Sequence, residues 1–255
     1  MAGHSKWANI KRQKARVDAK KGKTFTQLSR AIIVAARQGS PDPAGNFQLR
    51  TAIEKAKAAG IPNDNIERAI AKGTGTYDSG ETLEEIRYEG YGPGGIALIM
   101  ETLTDNRNRT AADLRATLSK KGGNLGETGC VSWLFQYKGV VRLSGQIEEE
   151  SLLEAALEGG AESYEALEEE AGGGIEVFTH PTNLEALSQA LKRQGLPVVE
   201  SEFRWIPDTV ITLDLDQSEQ AQTLLKLIEA LENLDDVQAV TANFELSDRL
   251  LELLG

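Results

Sequence analysis

The sequence predicts an α+β protein: an N-terminal helical bundle domain followed by two small α/β sandwich-like domains, the third inserted in the second. Three observations predict it. Helical periodicity without strand pattern fills residues 24–75, and beyond residue 80 short apolar strands alternate with helical segments. The strand–strand–helix of residues 81–122 and the strand–helix–strand of residues 210–244 each supply only half of a covered sheet. Pairing those halves makes residues 131–206 an insertion. The expected divisions are a basic arm at 1–23, a helical domain at 24–78, an α+β domain at 79–130 plus 207–255, and an acidic α+β domain at 131–206.

Each element has its own justification. Residues 2–23 read AGHSKWANIKRQKARVDAKKGK, eight Lys/Arg against Asp18 alone, too basic and too poor in large apolar residues to fold unaided. Phe25, Leu28, Ile32 and Ala35 step at helical spacing until Gly39 and Pro41. A second helix from Asn46 puts Leu49, Ile53 and Ala56 on one face and stops at Gly60. Pro62, Asn63 and Asp64 announce a third, with Glu67 placed for a capping box, Ile66 and Ile70 as contacts and Gly73 as its end. After the polar Thr74–Gly80 boundary, Ile86–Tyr91 and Ile96–Leu103 read as strands, and Asp105 or Asn106 caps a helix to Lys121. Val131–Phe135 and Gly139–Leu143 read as a hairpin. A helix (148–158), strands near Tyr164 and at 175–179, a helix (183–194) and a strand (198–205) follow. Past Pro207 come a strand at 210–215, a helix at 218–234 and a strand at 237–244.

Composition bounds the function. The 255 residues are 40% hydrophobic and 26% charged, as expected of a folded globular chain. The longest apolar runs, 31–36 and 96–100, fall far short of the ~18 residues of a membrane helix, and the N-terminus lacks the apolar core of a secretory signal. Cys130 is the single cysteine, so a reducing compartment and a cytoplasmic location are expected. With only His4 and His180 besides, no Cys/His zinc site is expected. The net charge of −11 conceals a division: residues 1–75 hold 15 Lys/Arg against 5 Asp/Glu, and residues 76–255 hold 13 against 34. A basic module that meets a polyanion, carried on an acidic body, is the reading.

The candidate contacts follow. In the arm, Lys6, Lys11, Arg12, Lys14, Arg16, Lys20, Lys21 and Lys23 can neutralise phosphates, and Trp7 can stack on an unpaired base. A solvated tail is the plainer alternative. Lys23, Arg30 and Arg37 recur every seven residues and so share a helix face, serving either phosphate or ordinary solvation. Arg107 and Arg109 lead a second basic cluster with Arg115, Lys120 and Lys121; salt bridges to the neighbouring acidic domain explain these charges equally well. Residues 143–191 hold twelve Glu and no Lys or Arg, a surface that points away from nucleic acid, or simply a solvated one. No catalytic constellation emerges. The glycine stretches 90–95, 120–129 and 171–176 match no phosphate-binding fingerprint, Glu84–Glu85 and Glu168–Glu169 are too ordinary to mark acid–base chemistry, and His180 has no Cys or Ser partner. The chain therefore reads as a non-enzyme needing no cofactor.

Four blocks carry a resemblance: residues 2–25, NFQLRTAIEKAKAAGIPNDNIERAIAKGTG (46–75), YEGYGPGGIALIMETLTDNRNRT (88–110) and GGNLGETGCVSWLF (122–135). Together they resemble the YebC/PmpR family over essentially the whole chain. Because the first block begins at Ala2, no added transit peptide is expected. The resemblance implies a helical N-terminal domain and two α/β domains, the third within the second. It also implies a DNA-binding transcriptional regulator. The alternative it implies is a translation factor, since a mitochondrial relative activates translation and bacterial members are linked to stalled ribosomes. Two departures stand out. Ala31 follows Arg30 where an acidic residue is expected, and Gly60-Ile61-Pro62-Asn63 stands where Asn-Met-Pro-Lys is common, a loss of lysine that slightly weakens a phosphate role for the loop before the third helix.

Overall fold

The computed structural model describes residues 21–75, 83–167 and 173–254. Three helices come first: α1 (Lys21–Gln38), α2 (Phe47–Ala58) and α3 (Asn63–Gly73). Their facing side chains form one core of Ile32, Ile33, Ala35, Leu49, Ile53, Ala56, Ile61 and Ile66. The spacing of apolar positions predicts this set for α2, where Leu49, Ile53 and Ala56 are the buried residues. Asn46 caps α2 by accepting a hydrogen bond from Leu49 N at 3.0 Å, while its Nδ2 donates to Ala35 O at 2.7 Å and ties the loop back to α1. Gly60 turns the chain at φ +82°.

Two sheets follow. In the first, β1 (Glu84–Tyr91) and β2 (Ala97–Thr104) form an antiparallel hairpin, and α4 (Arg107–Lys120) leads to the short β3 (Asn124–Leu125) beside β1. The chain then builds the second sheet from β4 (Phe135–Leu143), β5 (Ala161–Ala166), β6 (Ile175–Thr179) and β7 (Val198–Pro207), in the order β5-β6-β4-β7. Helices α5 (Glu149–Glu158) and α6 (Leu184–Arg193) supply the core of this unit with Leu152, Ala155, Leu184, Leu187 and Leu191. After β8 (Ile211–Leu213) and α7 (Ser218–Glu232), β9 (Val237–Ala242) returns to pair with β2 and completes the order β3-β1-β2-β9. Leu114 and Leu118 of α4 and Leu224, Leu227, Ile228 and Leu231 of α7 bury one face of that sheet. A parallel pair, β8 with β10 (Phe244–Leu246), and a last helix, α8 (Asp248–Leu254), finish the chain. The architecture is the α+β arrangement that the periodicity predicts, with the second sheet set between the halves of the first.

Several local expectations are corrected. The first helix already includes Lys21, Gly22 and Lys23, ahead of Thr24. The third has Pro62 at its cap with no side-chain hydrogen bond, so Asp64 and Glu67 form no capping box. Residues 131–143 are not a hairpin. Ser132–Leu134 form a 3₁₀ turn and Phe135–Leu143 run on as one strand, because Gly139 marks a close approach rather than a turn. A Cβ there would lie 2.9 Å from Leu184 Cβ and 3.1 Å from Thr179 Cγ2. The last strand breaks at Asn243, whose Oδ1 accepts from Ala97 N at 2.7 Å and whose Nδ2 donates to Thr209 O, linking the two sheet segments. Residues 168–172, with the Glu168–Glu169 pair, lie outside the described residues.

Candidate nucleic-acid interface

The arm candidates Lys6, Trp7, Lys11, Arg12, Lys14, Arg16 and Lys20 lie outside the described residues. Lys21 and Lys23 are helical residues of α1, and that helix runs on into the body of the protein. Residues 32–36 of α1 are buried in succession, all round the helix, so α1 is an internal strut rather than a surface rod.

Of the stripe read as serving either phosphate or ordinary solvation, Arg30 docks α1 on the first sheet while Arg37 stays exposed beside it. Gln27 Nε2 donates to Val237 O at 2.6 Å and Arg37 to Leu83 O at 3.1 Å. Arg30 Nη1 meets Leu103 O at 3.3 Å, Asp235 O at 2.9 Å and Asp236 Oδ1 at 3.0 Å. Asp236, on the turn into β9, is almost wholly buried. It also receives Arg109 Nη2 at 2.9 Å, Thr110 Oγ1 at 2.8 Å and Thr104 Oγ1 at 3.1 Å. Burial alone would push this carboxyl up. Hydrogen bonds from Arg109, Thr110 and Arg30, with the charge of Arg109, hold it below the usual carboxylate range instead. Arg30 and Arg109, both candidate phosphate contacts, are thus joined on one acid. Arg109 also reaches Asp105 at 2.7 Å. Arg107, one residue inside the Asn106 cap, is exposed on the outer side of α4, as are Arg115 and Lys120.

The second sheet docks on the helices through its edge strand β7. Lys55 of α2 lies 3.0 Å from Glu200 and 2.9 Å from Glu202. Burial would lower its pKa, but those two carboxylates raise it above the ordinary lysine value. Arg204 then pairs with the buried Glu176 at 2.9 Å and with Glu202 at 3.2 Å. Nearby, Arg50 of α2 pairs with Glu185 of α6 at 2.6 Å. Glu185, from the Glu-rich stretch that a sequence reading leaves as a repelling or solvated surface, and Glu200 and Glu202 beyond it are here the acceptors for the helical unit's cations.

Glu89 is the residue that sequence reasoning missed most plainly. Fully buried on β1, its carboxylate accepts from Gly129 N at 3.0 Å, Val131 N at 2.9 Å and Ser132 N at 2.8 Å. Burial acts to raise its pKa, and the three backbone donors outweigh it and lower it. The loop so fixed presents Trp133 at 71% exposure. A lone acid at an inward position of a strand, among glycines and aromatics, is the signal that could have found it.

A cavity of about 670 Å³ opens where the three units meet. Its lining draws on α1 and α2, on β1, β2 and β9 of the first sheet, and on β4 and β7 of the second. Among the described residues there is no group of three or more His, Cys, Asp or Glu placed to hold a metal, and no helix is long and apolar enough to cross a membrane.

Comparison with known proteins now bears on this layout. A family model described as the TACO1/YebC protein N-terminal domain matches residues 5–76, and one described as the TACO1/YebC second and third domain matches residues 83–244. The chain belongs to the TACO1/YebC family. Similar relatives include the probable transcriptional regulatory protein of Gloeothece citriformis, 70% identical over 254 residues and 99% of each chain. Its counterpart in Synechocystis is 67% identical, over 99% of this chain and all of the relative. The conserved hypothetical protein Aq1575 of Aquifex aeolicus, solved by crystallography, is 46% identical with a TM-score of 0.81 over 93% of this chain and 95% of that one. In this TACO1/YebC chain the boundary between the two matched stretches, residues 77–82, coincides with the passage from the helices to the first sheet, which the Asp236 cluster spans.

Proposed function

We propose that this protein is a non-enzymatic, cytoplasmic regulator of gene expression that binds nucleic acid through its basic N-terminal arm. Relatives described as probable transcriptional regulatory proteins support regulation, and transcriptional control through DNA is the first reading. The observation that carries nucleic-acid binding is the distribution of charge. Residues 1–20 hold six Lys/Arg against one Asp, whereas Arg30, Arg50, Lys55 and Arg109 are committed to carboxylates of the acidic body. The arm therefore supplies the phosphate contacts, with Arg107 beside Arg115 and Lys120 as a second patch.

One observation favours the translational reading. A duplex reader lays a helix with a polar, basic face in the major groove. In the helical unit that carries the arm, α1 is buried on every side along residues 32–36, α2 faces the second sheet, and the exposed start of α3 carries Asp64 and Glu67. A Lys/Arg arm with one tryptophan suits irregular RNA at least as well.

Reversing Lys11, Arg12, Lys14 and Arg16 to Glu tests the proposal. Binding to single- or double-stranded nucleic acid is expected to collapse, with the slope of log K against log salt falling by about 3–4. The thermal midpoint should hold. Unchanged affinity overturns the arm as the binding element. Crosslinking in living cells, with that variant as control, separates promoter DNA from ribosomal or transfer RNA as the target.

A further inference from the structure

We propose that the cavity between the three units is a binding site for a free nucleobase or nucleoside: a planar, phosphate-free N-heterocycle whose N–H edge meets Glu101 and whose acceptor meets Gln238. This goes beyond the polyanion reading, because it concerns a different face and an uncharged ligand.

The volume of about 670 Å³ falls in the range of small-molecule sites and suits a nucleoside. Its walls mix charged and polar side chains with an aromatic group, Phe47, Phe203, Tyr137 and Trp205. Tyr137 lies 5.7 Å from the Phe203 ring and 4.9 Å from the Trp205 ring, and the Arg87 guanidinium stacks 4.7 Å over Trp205. Such a wall takes a flat ring by stacking.

Two polar groups give the site its chemistry. Gln238 Nε2 is buried and meets no acceptor within the described protein, a cost of the kind that a bound acceptor would relieve. Its position has a cause. Glu101 pairs with Ala239 and Thr102 with Val237, so Gln238 is the extra residue of a bulge in β9. Val237, Val240 and Ala242 all pack in the helix-covered core, which strict alternation would forbid, and the bulge leaves Gln238 on the cavity side. Glu101 lies on the neighbouring strand, ~4.8 Å across the sheet, and lines the same cavity. Burial raises its pKa, with the Trp205 indole opposing and Glu85 adding to the rise. A ligand N–H is the partner that stabilises a carboxylate so placed.

The charges exclude a phosphate. Glu85, Glu101 and Glu202 line the cavity, and its two cations are engaged, Lys55 with Glu200 and Glu202, and Arg87 with Trp205 and Glu89. A nucleotide would bring its negative charge against these acids.

The test titrates the full-length protein with guanosine, adenosine, cytidine and uridine, following the Trp205 indole N–H resonance, assigned through Trp205→Phe. At least one nucleoside should move it saturably with Kd below ~1 mM, and its 5′-monophosphate should bind at least about tenfold more weakly. Gln238→Leu deletes the orphaned donor, so stability should hold or rise while affinity falls about fivefold or more. Glu101→Gln should weaken binding as well, and Gln238→Leu keeps the test decisive if that variant unfolds. No shift with any nucleoside overturns the site. So does a monophosphate that binds as well as its nucleoside, a shift unaltered in both variants, or a signal that only a single-stranded oligonucleotide produces. Retained binding by the arm-reversed variant is expected, which keeps this site separable from the arm.

Discussion

Asp236 gathers Arg30, Arg109, Thr104 and Thr110 around one buried carboxylate, from α1, from α4 and from the end of β2. Replacing it with Asn leaves two guanidinium groups facing a neutral amide. The expected loss is about 2–3 kcal/mol by urea unfolding, less than for a fully enclosed pair because Arg109 is 46% exposed. The pH dependence follows from the lowered pKa of Asp236. A carboxylate held below its unfolded value, about 3.9, contributes fully above that pH and loses its contribution as the pH falls through the lowered value. The stability difference between wild type and Asp236→Asn should therefore be level from neutral pH down to about 5 and shrink below about 4. A difference that stays constant into strong acid would contradict the assignment. At this scale the sequence misleads. Arg30 and Arg109 read as phosphate contacts because the acid that binds them is 206 and 127 residues away, beyond any local pattern.

Helix α3 shows how closely these elements approach. A Cβ on Gly73 would lie 2.4 Å from Ile33 O and 2.8 Å from Ala36 Cβ, so glycine there is a packing surface of α3 on α1. Gly73→Ala sets two effects against each other: a gain in helix propensity of up to about 1 kcal/mol, and an overlap with a backbone carbonyl that cannot rotate away. The overlap wins, and the urea midpoint should fall by an amount worth about 1–2 kcal/mol at an unchanged m-value. Sequence periodicity reads the helices well because their cores are local. In α2, Leu49, Ile53 and Ala56 are spaced for one face and buried on it. It fails where the cause is a distant contact: Gly139 reads as a turn but lies against Leu184, and Val131 reads as strand but is held by Glu89. The bulge at Gln238 is only faintly marked in the sequence, where Val237-Gln238-Ala239-Val240 breaks strict alternation without saying which residue is extra.

Across the whole molecule, each of the three units has its own apolar core, a fourth cluster of Ala97, Ile99, Val131 and Phe135 joins the two sheets, and the helical unit meets both sheets through ion pairs of Arg30 and Lys55. Reversing Arg30 and Lys55 together to Glu should leave each core intact and weaken both joints at once. Far-UV dichroism and tryptophan fluorescence, expected to coincide in the wild type, should then separate, the helical signal falling first. Coincident transitions in the variant would mean that apolar packing, not these ions, couples the units.

The pairing of β2 with β9 has a consequence for synthesis. Leu98 waits for Ala242, and Arg30 waits for Asp236. At translation rates of ~5–20 residues per second, the open edge of β2 stays unpaired for roughly 7–30 s after it is made, while the helices and the inserted sheet can already close. The nascent chain thus emerges with its basic arm and an unclamped Arg30 well before the acidic carboxylate that will restrain it. Docking of the helical unit is among the last acts of folding, and a chain truncated before β9 would keep its edge open to other strands.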